Sequence, residues 1–310
     1  MITTPTTFVI GAGANPTDTL PVGHGLLDKA AKLDRHKELR TSILQAIGND
    51  TQRLNSFLDD LRQHPARSID AFLETRPDQA TRDLGHVVIA ALMGQALIDH
   101  PTPRFKVDED WIGHVIRWMI SGARTAREFA DGNSHVRFVT FNFDSVLESE
   151  IARLVHGAYR GQPEVDKAVE TIWTYHVHGK LPEPVRQVGS LMNPGHFVDP
   201  VWIDQAAKHV RVVHDELDAD ERIRARQAVS SARVLCFLGF GYHLENLKSL
   251  DVKALVARPQ GHQEIFGSGM NLSGQDKAII RRAFELRIEL GGQDQNCLKF
   301  LESHDVLRVT

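Results

Sequence analysis

The sequence predicts an α/β protein, with a Rossmann-like, mostly parallel sheet that has helices on both faces and a large helical insertion. Short apolar runs that end at glycines or polar residues alternate with helical patterns, which is typical of buried parallel strands joined by helices. Between residues 37 and 130 the apolar spacing is helical and no strand pattern interrupts it. Such a block is longer than an ordinary crossover between strands. We therefore predict a Rossmann-like domain from residues 1–36 and 131–310, and a helical insertion subdomain from residues 37–130.

The apolar runs and helical periodicities give the individual elements. The predicted strands cover residues 6–10, 136–141, 171–177 and 233–238, with a closing edge strand at 305–309. Outside the helical block, the predicted helices cover residues 25–33, 145–155, 203–230 in two pieces, 244–256 and 273–290. Residues 14–21 and 181–197 are rich in proline, glycine and polar residues, which predicts loops.

The composition narrows the class of protein. Of the 310 residues, 42% are hydrophobic and 25% charged, which are ordinary values for a globular protein. The formal net charge is −4 and no long run of lysine or arginine occurs, which disfavours binding of duplex nucleic acid. No apolar stretch approaches the roughly 20 residues of a membrane span, and the N-terminus lacks a signal-peptide pattern. We expect a cytoplasmic protein whose two cysteines, Cys236 and Cys297, are reduced core thiols.

The first strand runs into a glycine turn, Gly11-Ala12-Gly13. Glycines at this place let backbone N–H groups approach a pyrophosphate, and the N-terminus of a following helix favours its negative charge. The dinucleotide fingerprint is incomplete, because Pro16 stands where its third glycine is expected. An ordinary strand-to-helix turn therefore remains the alternative.

The second strand ends in two polar residues, Asn142 and Asp144, which alternate with Phe141 and Phe143. In an extended chain the two polar side chains share one face. The amide of Asn142 offers both a donor and an acceptor, which suits ribose hydroxyls or a positioned water. Alternatively Asn142 is a turn residue and Asp144 is the N-cap of the next helix.

The third strand ends at His178-Gly179. Imidazole is the side chain best suited to accept a proton near neutral pH, and the adjacent glycine would let a ligand come close. His176 lies two residues earlier on the same face and is the alternative base. A metal site is disfavoured, because no cysteine, histidine or acidic pair at ligand spacing completes it.

A second glycine turn, Gly239-Phe240-Gly241, follows the strand at 233–238, and Asn246 lies shortly after it. This turn could hold the second half of a dinucleotide, or it could be a tight turn only.

The order of these motifs resembles the sirtuin-like superfamily, and most closely its bacterial branch of NAD-consuming domains used in antiphage defence. The resemblance covers roughly residues 6–34 and 136–256. It implies that Gly11, Ala12 and Gly13 bind the pyrophosphate, and that Asn142 and Asp144 contact the nicotinamide ribose. It further implies that His178 is the catalytic base and that Gly239, Gly241 and Asn246 line the adenosine half.

The chain departs from the protein-deacylating sirtuins at three places. The two Cys-x-x-Cys pairs of a structural zinc site are absent, Leu20-Pro21-Val22-Gly23 replaces the Asp-Phe-Arg-Ser segment, and Phe141 replaces a glutamine. The resemblance thus favours an NAD glycohydrolase, with NAD as substrate and no metal. Deacylation of proteins, or a non-catalytic subunit that senses NAD or ADP-ribose, are the alternatives. Family behaviour further implies a gated antiviral effector that forms a homo-oligomer or answers to an ATPase or Argonaute-type partner.

Overall fold

The computed structural model describes residues 1–17, 19–66, 68–101, 104–188, 196–211, 219–259 and 263–307. The chain forms two compact units. The first, here called the sheet unit, consists of Met1–Asn15, Phe105–Val177 and Leu217–Thr310. The second, the helical unit, consists of Pro16–Arg104 and His178–Glu216.

The sheet unit contains a six-stranded parallel sheet. The strands of the chain are β1 (Thr6–Ile10), β2 (Val136–Thr140), β3 (Trp173–His176), β4 (Arg186–Val188), β5 (His196–Val198), β6 (Val234–Leu238), β7 (Glu264–Gly267) and β8 (Ile288–Leu290). The sheet has the order β3-β2-β1-β6-β7-β8, and every neighbouring pair is parallel. This is the strand order of a doubly wound Rossmann-like sheet, in which ligands bind where the order reverses, here between β1 and β6. The predicted fold class is confirmed.

Both faces of the central strands are buried, which is why their sequences are almost continuously apolar. Phe8 on β1 and Phe138 on β2 pack in one core with their rings stacked at 5.3 Å, whereas Val9 and Val139 point into the core on the opposite face. Helices of the sheet unit supply the rest of both cores. They are α6 (Trp111–Ile120), α7 (Ala126–Asn133), α8 (Val146–Ala158), α9 (Val165–Glu170), α11 (Ala219–Ser231), α12 (Leu244–Ser249), α13 (Val252–Val256), α14 (Gly274–Ala283) and α15 (Cys297–Ser303).

Among its described residues, the helical unit packs six helices with a small antiparallel pair of strands, β4 and β5. Its helices are α1 (Gly23–Ala31), α2 (Lys37–Ala46), α3 (Thr51–Gln63), α4 (Ile69–Glu74), α5 (Gln79–Asp99) and α10 (Pro200–Ala207). The side chain of Asp199 accepts a hydrogen bond from Trp202 N, and Pro200 opens α10, so this helix begins with a capped N-terminus.

Several boundaries differ from the predicted ones. The predicted helix at 273–290 ends at Ala283, because Glu285 and Leu286 adopt left-handed backbone angles, and residues 288–290 form β8. The predicted loop at 181–197 contains β4 and β5, with residues 189–195 outside the described part. Of the predicted edge strand at 305–309, Asp305–Leu307 do not form a strand, and residues 308 and 309 lie outside the described residues.

The compact units do not coincide with the predicted domains. Residues 37–130 are helical as predicted, but residues 105–130 belong to the sheet unit. Residues 16–36 and 178–216, predicted to be part of the sheet domain, belong to the helical unit.

Both Cys236 and Cys297 are free and buried, and burial raises the pKa of Cys297 to about 12. Among the described residues, no helix is long and apolar enough to cross a membrane.

Candidate functional site

The two glycine turns of the sheet unit contact each other through their backbones at the point where the strand order reverses. Gly11 N donates to Leu238 O at 3.0 Å, and Gly13 N donates to Gly239 O at 3.0 Å. A Cβ on Gly11 would lie 2.6 Å from Gly239 O, so only glycine fits there. The glycines are therefore needed for this turn-to-turn packing itself, and the amides of Gly11 and Gly13 are engaged within the protein.

Neighbouring elements fix the first turn. The indole Nε1 of Trp111, at the start of α6, donates to Ala14 O at 2.7 Å in a buried hydrogen bond. On the other side, Phe141 N donates to Ile10 O at 2.9 Å, and the Phe141 ring packs edge-on against Phe240 with centroids 5.0 Å apart. These contacts hold the segment after β2 beside both glycine turns.

A chain of three polar side chains crosses this edge of the sheet. Asn142 Nδ2 donates to Asn15 Oδ1 at 3.1 Å, and Asn15 Nδ2 donates to Asp144 Oδ2 at 2.9 Å. Asp144 Oδ1 accepts from Val146 N in the first turn of α8 at 3.1 Å. Asp144 therefore satisfies a backbone donor at the start of α8, but the predicted N-cap position is occupied by Ser145 and not by Asp144. The structure brings Asn142 and Asp144 together through Asn15, a residue that the sequence patterns did not indicate.

The Asn142 amide has one end satisfied and one end open. The residue is only 6% exposed, and its Oδ1 is buried with no hydrogen-bond partner among the described residues. Leaving a buried acceptor unsatisfied costs about 1–3 kcal/mol, and such an atom calls for an explanation. A hydroxyl or water donor from a ligand would satisfy it.

The buried carboxyl of Asp144 is expected to make the stability of the fold depend on pH. Burial is the main cause that raises its pKa, Glu148 adds to the shift, and Asn15, Val146 N and His176 oppose it. Because the folded-state pKa is raised, the contribution of Asp144 to stability is complete at acid pH and is lost as the pH rises through that pKa. We expect Asp144→Asn to raise the Tm at pH 8, since asparagine needs no buried charge.

The advantage of Asp144→Asn should vanish below the ordinary aspartate pKa of about 3.9, where both side chains are neutral. Thermal unfolding of the wild type and the variant between about pH 3 and pH 8 measures this difference. Asp108→Asn changes the same atoms at an exposed position outside the polar chain and serves as the control. A variant that is less stable than the wild type at pH 8 would contradict the prediction.

His176 has both ring nitrogens engaged. Nδ1 lies 3.0 Å from the backbone oxygen of Asn142, which can only accept, and Nε2 lies 2.7 Å from Glu148 Oε1. Its backbone N–H donates to Glu221 Oε1 at 2.9 Å. The imidazole therefore has no free lone pair for substrate, and its place in the fold is to support the Asn142 backbone. Of the two candidate bases, the geometry disfavours His176.

His178 is the first residue of its segment of the helical unit. Val177 N donates to Thr140 O at 2.9 Å, which extends the β2–β3 pairing to the residue before His178. His178 is buried, and its carbonyl oxygen accepts from Arg211 N. Gly179 has φ +82°, and a Cβ there would lie 2.0 Å from His209 O. Backbone geometry alone thus requires this glycine.

The remaining predicted residues lie around the second glycine turn. Gly241 is exposed, and a Cβ there would meet only the His243 ring at 3.0 Å. Asn246 is half-buried in α12, and its carbonyl oxygen accepts from Leu250 N. Within the described residues, no group of three histidine, cysteine or acidic side chains could hold a metal ion.

Sequence reasoning missed Asn15, Glu148 and Glu221. Asn15 follows the first glycine turn at the same sheet edge as Asn142, which is a usable signal. Glu148 occupies the first turn of α8, where a carboxylate is favoured by the helix dipole, so it looks like an ordinary helix residue. Glu221 lies in α11 and gives no signal from its neighbours.

No protein-family model matches the chain, and a search of the curated proteins likewise finds no similar protein.

Proposed function

We propose that this protein hydrolyses NAD at the bond between nicotinamide and ribose, giving nicotinamide and ADP-ribose. The observation that carries the proposal is the buried Oδ1 of Asn142, which has no partner in the described structure and lies at the carboxyl end of β2. This edge adjoins the strand-order reversal, where doubly wound sheets bind dinucleotides. The order of the motifs, which resembles NAD-consuming sirtuin-like domains, supports NAD as the dinucleotide.

The chemistry needs few groups. Nicotinamide is cationic in NAD and leaves as a neutral molecule, so the protein has to hold the ribose, stabilise positive charge at C1′ and place a water. The water oxygen bonds to C1′ as the bond from C1′ to nicotinamide breaks, and the released proton goes to a base. We assign that base to His178 on the resemblance, and we assign to Asn142 the orientation of ribose and water.

Uncontrolled hydrolysis would drain a central cofactor, so we propose that the activity is gated. The proposed setting is antiphage defence in the cytoplasm. Activation would come through self-assembly or through a partner such as an ATPase or an Argonaute-type protein, with the gating contacts on the helical block of residues 37–130. No metal takes part in the proposed reaction.

One assay separates the proposal from its two rivals. NAD is mixed with purified protein, with and without candidate activator proteins and an acyl-lysine peptide, and free nicotinamide is measured. Hydrolysis predicts release without the peptide, whereas a deacylase releases nicotinamide only when the peptide is present. A sensing subunit predicts a higher Tm with NAD or ADP-ribose and no turnover with any activator.

A further inference from the structure

While Asp144 is ionised, the polar chain from Asn142 to Asp144 can run in only one direction. An ionised carboxylate accepts hydrogen bonds and never donates them. Since Asp144 Oδ2 faces the Asn15 amide at 2.9 Å, Asn15 must present Nδ2 to it and Oδ1 to Asn142. Asn142 must then present Nδ2 to Asn15 and keep Oδ1 as its open end. The orientation of both amides follows from hydrogen-bonding valence, independently of how their oxygen and nitrogen atoms are assigned.

Asp144, the last residue of this polar chain, is also held by a hydrogen bond to its other carboxylate oxygen, Oδ1. Asp144 Oδ1 accepts from the backbone amide of Val146, a donor that cannot rotate because it belongs to α8. Asp144 is 3% exposed and Asn142 is 6% exposed, so bulk water has little access to exchange with either side chain. A reversal of the Asn142 amide would require Asp144 to donate.

We propose that Asp144, acting through Asn15, orients the Asn142 amide so that its acceptor end is left for the ligand. Asp144 and Asn15 are positioning residues in this arrangement, and Asn142 contacts the ligand. The inference rests on the proposed function for the identity of the ligand. The group that the acceptor recognises is a donor, namely a ribose hydroxyl or the attacking water.

In the variant Asp144→Asn, the proposed arrangement predicts that the amides of the polar chain reverse. The amide introduced at position 144 must turn its oxygen toward Val146 N and therefore present its NH₂ group to Asn15. Asn15 and Asn142 then both reverse, and Asn142 offers a donor where the ligand needs an acceptor. The fold keeps all its hydrogen bonds, so the variant stays folded while recognition of the ligand is lost.

Moving the carboxylate from position 144 to position 15 of the hydrogen-bonded polar chain restores the original orientation of the Asn142 amide. In the double variant Asn15→Asp with Asp144→Asn, the carboxylate at position 15 accepts from Asn142 Nδ2 and from the NH₂ group of the amide at position 144. Asn142 again leaves its oxygen open. Asn15→Asp alone places a half-buried carboxylate about 2.9 Å from the buried carboxylate of Asp144, where the two repel each other strongly.

The experiment measures the Tm and, with NAD as substrate, nicotinamide release for the wild type, the two single variants and the double variant. We expect Asp144→Asn to lose about tenfold to a hundredfold in kcat without loss of Tm. Asn15→Asp should lower the Tm markedly, and the double variant should recover both the Tm and most of the turnover. Asn55→Asp and Asp108→Asn make the same atom changes at exposed positions and should change neither quantity.

Three results would overturn the inference. Wild-type turnover in Asp144→Asn would show that the carboxylate is a helix cap only. A double variant no more stable than Asn15→Asp would show that the two side chains are not coupled. A double variant that regains the Tm but not the turnover would show that the direction of the amide does not matter. If the wild type has no turnover with any activator, the proposed function fails. The Tm values of the wild type, the two single variants and the double variant then decide whether the hydrogen bonds of the polar chain exist.

Discussion

Asn142→Ala is expected to lower nicotinamide release by about 10²–10³-fold, the loss typical of removing one pre-positioned polar group from a reacting centre. His178→Ala is expected to lower it by about 10²–10⁴-fold, as loss of a general base does. For Asn142 the physical reason is the open Oδ1, which alanine removes together with the hydrogen bond to Asn15. The measurement is single-turnover and steady-state release of nicotinamide from NAD.

Asn55→Ala and His156→Ala remove the same side-chain types at exposed positions and should retain wild-type release. Thermal unfolding of each variant separates loss of activity from loss of fold. Full activity in both Asn142→Ala and His178→Ala would refute the assignment of the site. Full activity in His178→Ala alone would move the base elsewhere, but not to His176, whose ring nitrogens are both engaged.

The central strands could be predicted from sequence because the sheet is buried on both faces. Their apolar runs are continuous and each ends at a glycine or a polar residue. The outer strands carry much weaker signals. β7 offers only Ile265 and Phe266 as apolar residues, and β8 has three residues.

The spacing of Ile280, Phe284 and Ile288 continues the pattern of α14, so the sequence could not show that the helix stops. The stop is made by left-handed backbone angles at Glu285 and Leu286, residues with no intrinsic preference for them. Only packing of β8 against β7 decides this boundary.

The candidate site could be predicted in part. The residue Asn142 was visible as an amide at a strand end, and the structure adds that one end of it is open. What the sequence could not provide was the pairing of Asn15 with its two partners, which are 127 and 129 positions away. Hydrogen bonds between loops have no periodicity, so no spacing rule reveals them. The same reason hid the pairing of Glu148 with His176.

A substitution in the second glycine turn is expected to cause a large loss of stability. Gly239→Ala should destabilise the sheet unit severely, because Gly239 has φ +57° and a Cβ there would lie 2.0 Å from Ala14 N and 2.3 Å from Gly13 C. Both contacts are with backbone atoms of the first turn, which cannot rotate away. Strain and overpacking of this kind cost at least about 3 kcal/mol together. We expect insoluble protein or a Tm lower by about 10 °C.

Gly241→Ala is the matched control, since it lies in the same turn, two residues further on. Its φ is not in the left-handed region, and the added methyl group would meet only an exposed histidine ring that can move. The Tm of Gly241→Ala without ligand should stay within about 2 °C of the wild type, as is usual for surface substitutions. A Gly239→Ala protein as stable as Gly241→Ala would contradict the packing of the two turns.

The same pair of variants tests whether the turn also binds the dinucleotide. Turn packing already explains why Gly11 and Gly239 are glycines, so their presence alone does not indicate a phosphate. Gly241 is different, because its exposed position has no such internal requirement. If the turn lines the adenosine half of NAD, Gly241→Ala should reduce the rise in Tm that saturating NAD produces, while the Tm without ligand is unchanged. An undiminished rise would assign the second turn to folding alone and would leave recognition of NAD to the first turn and the polar chain that ends at Asn142.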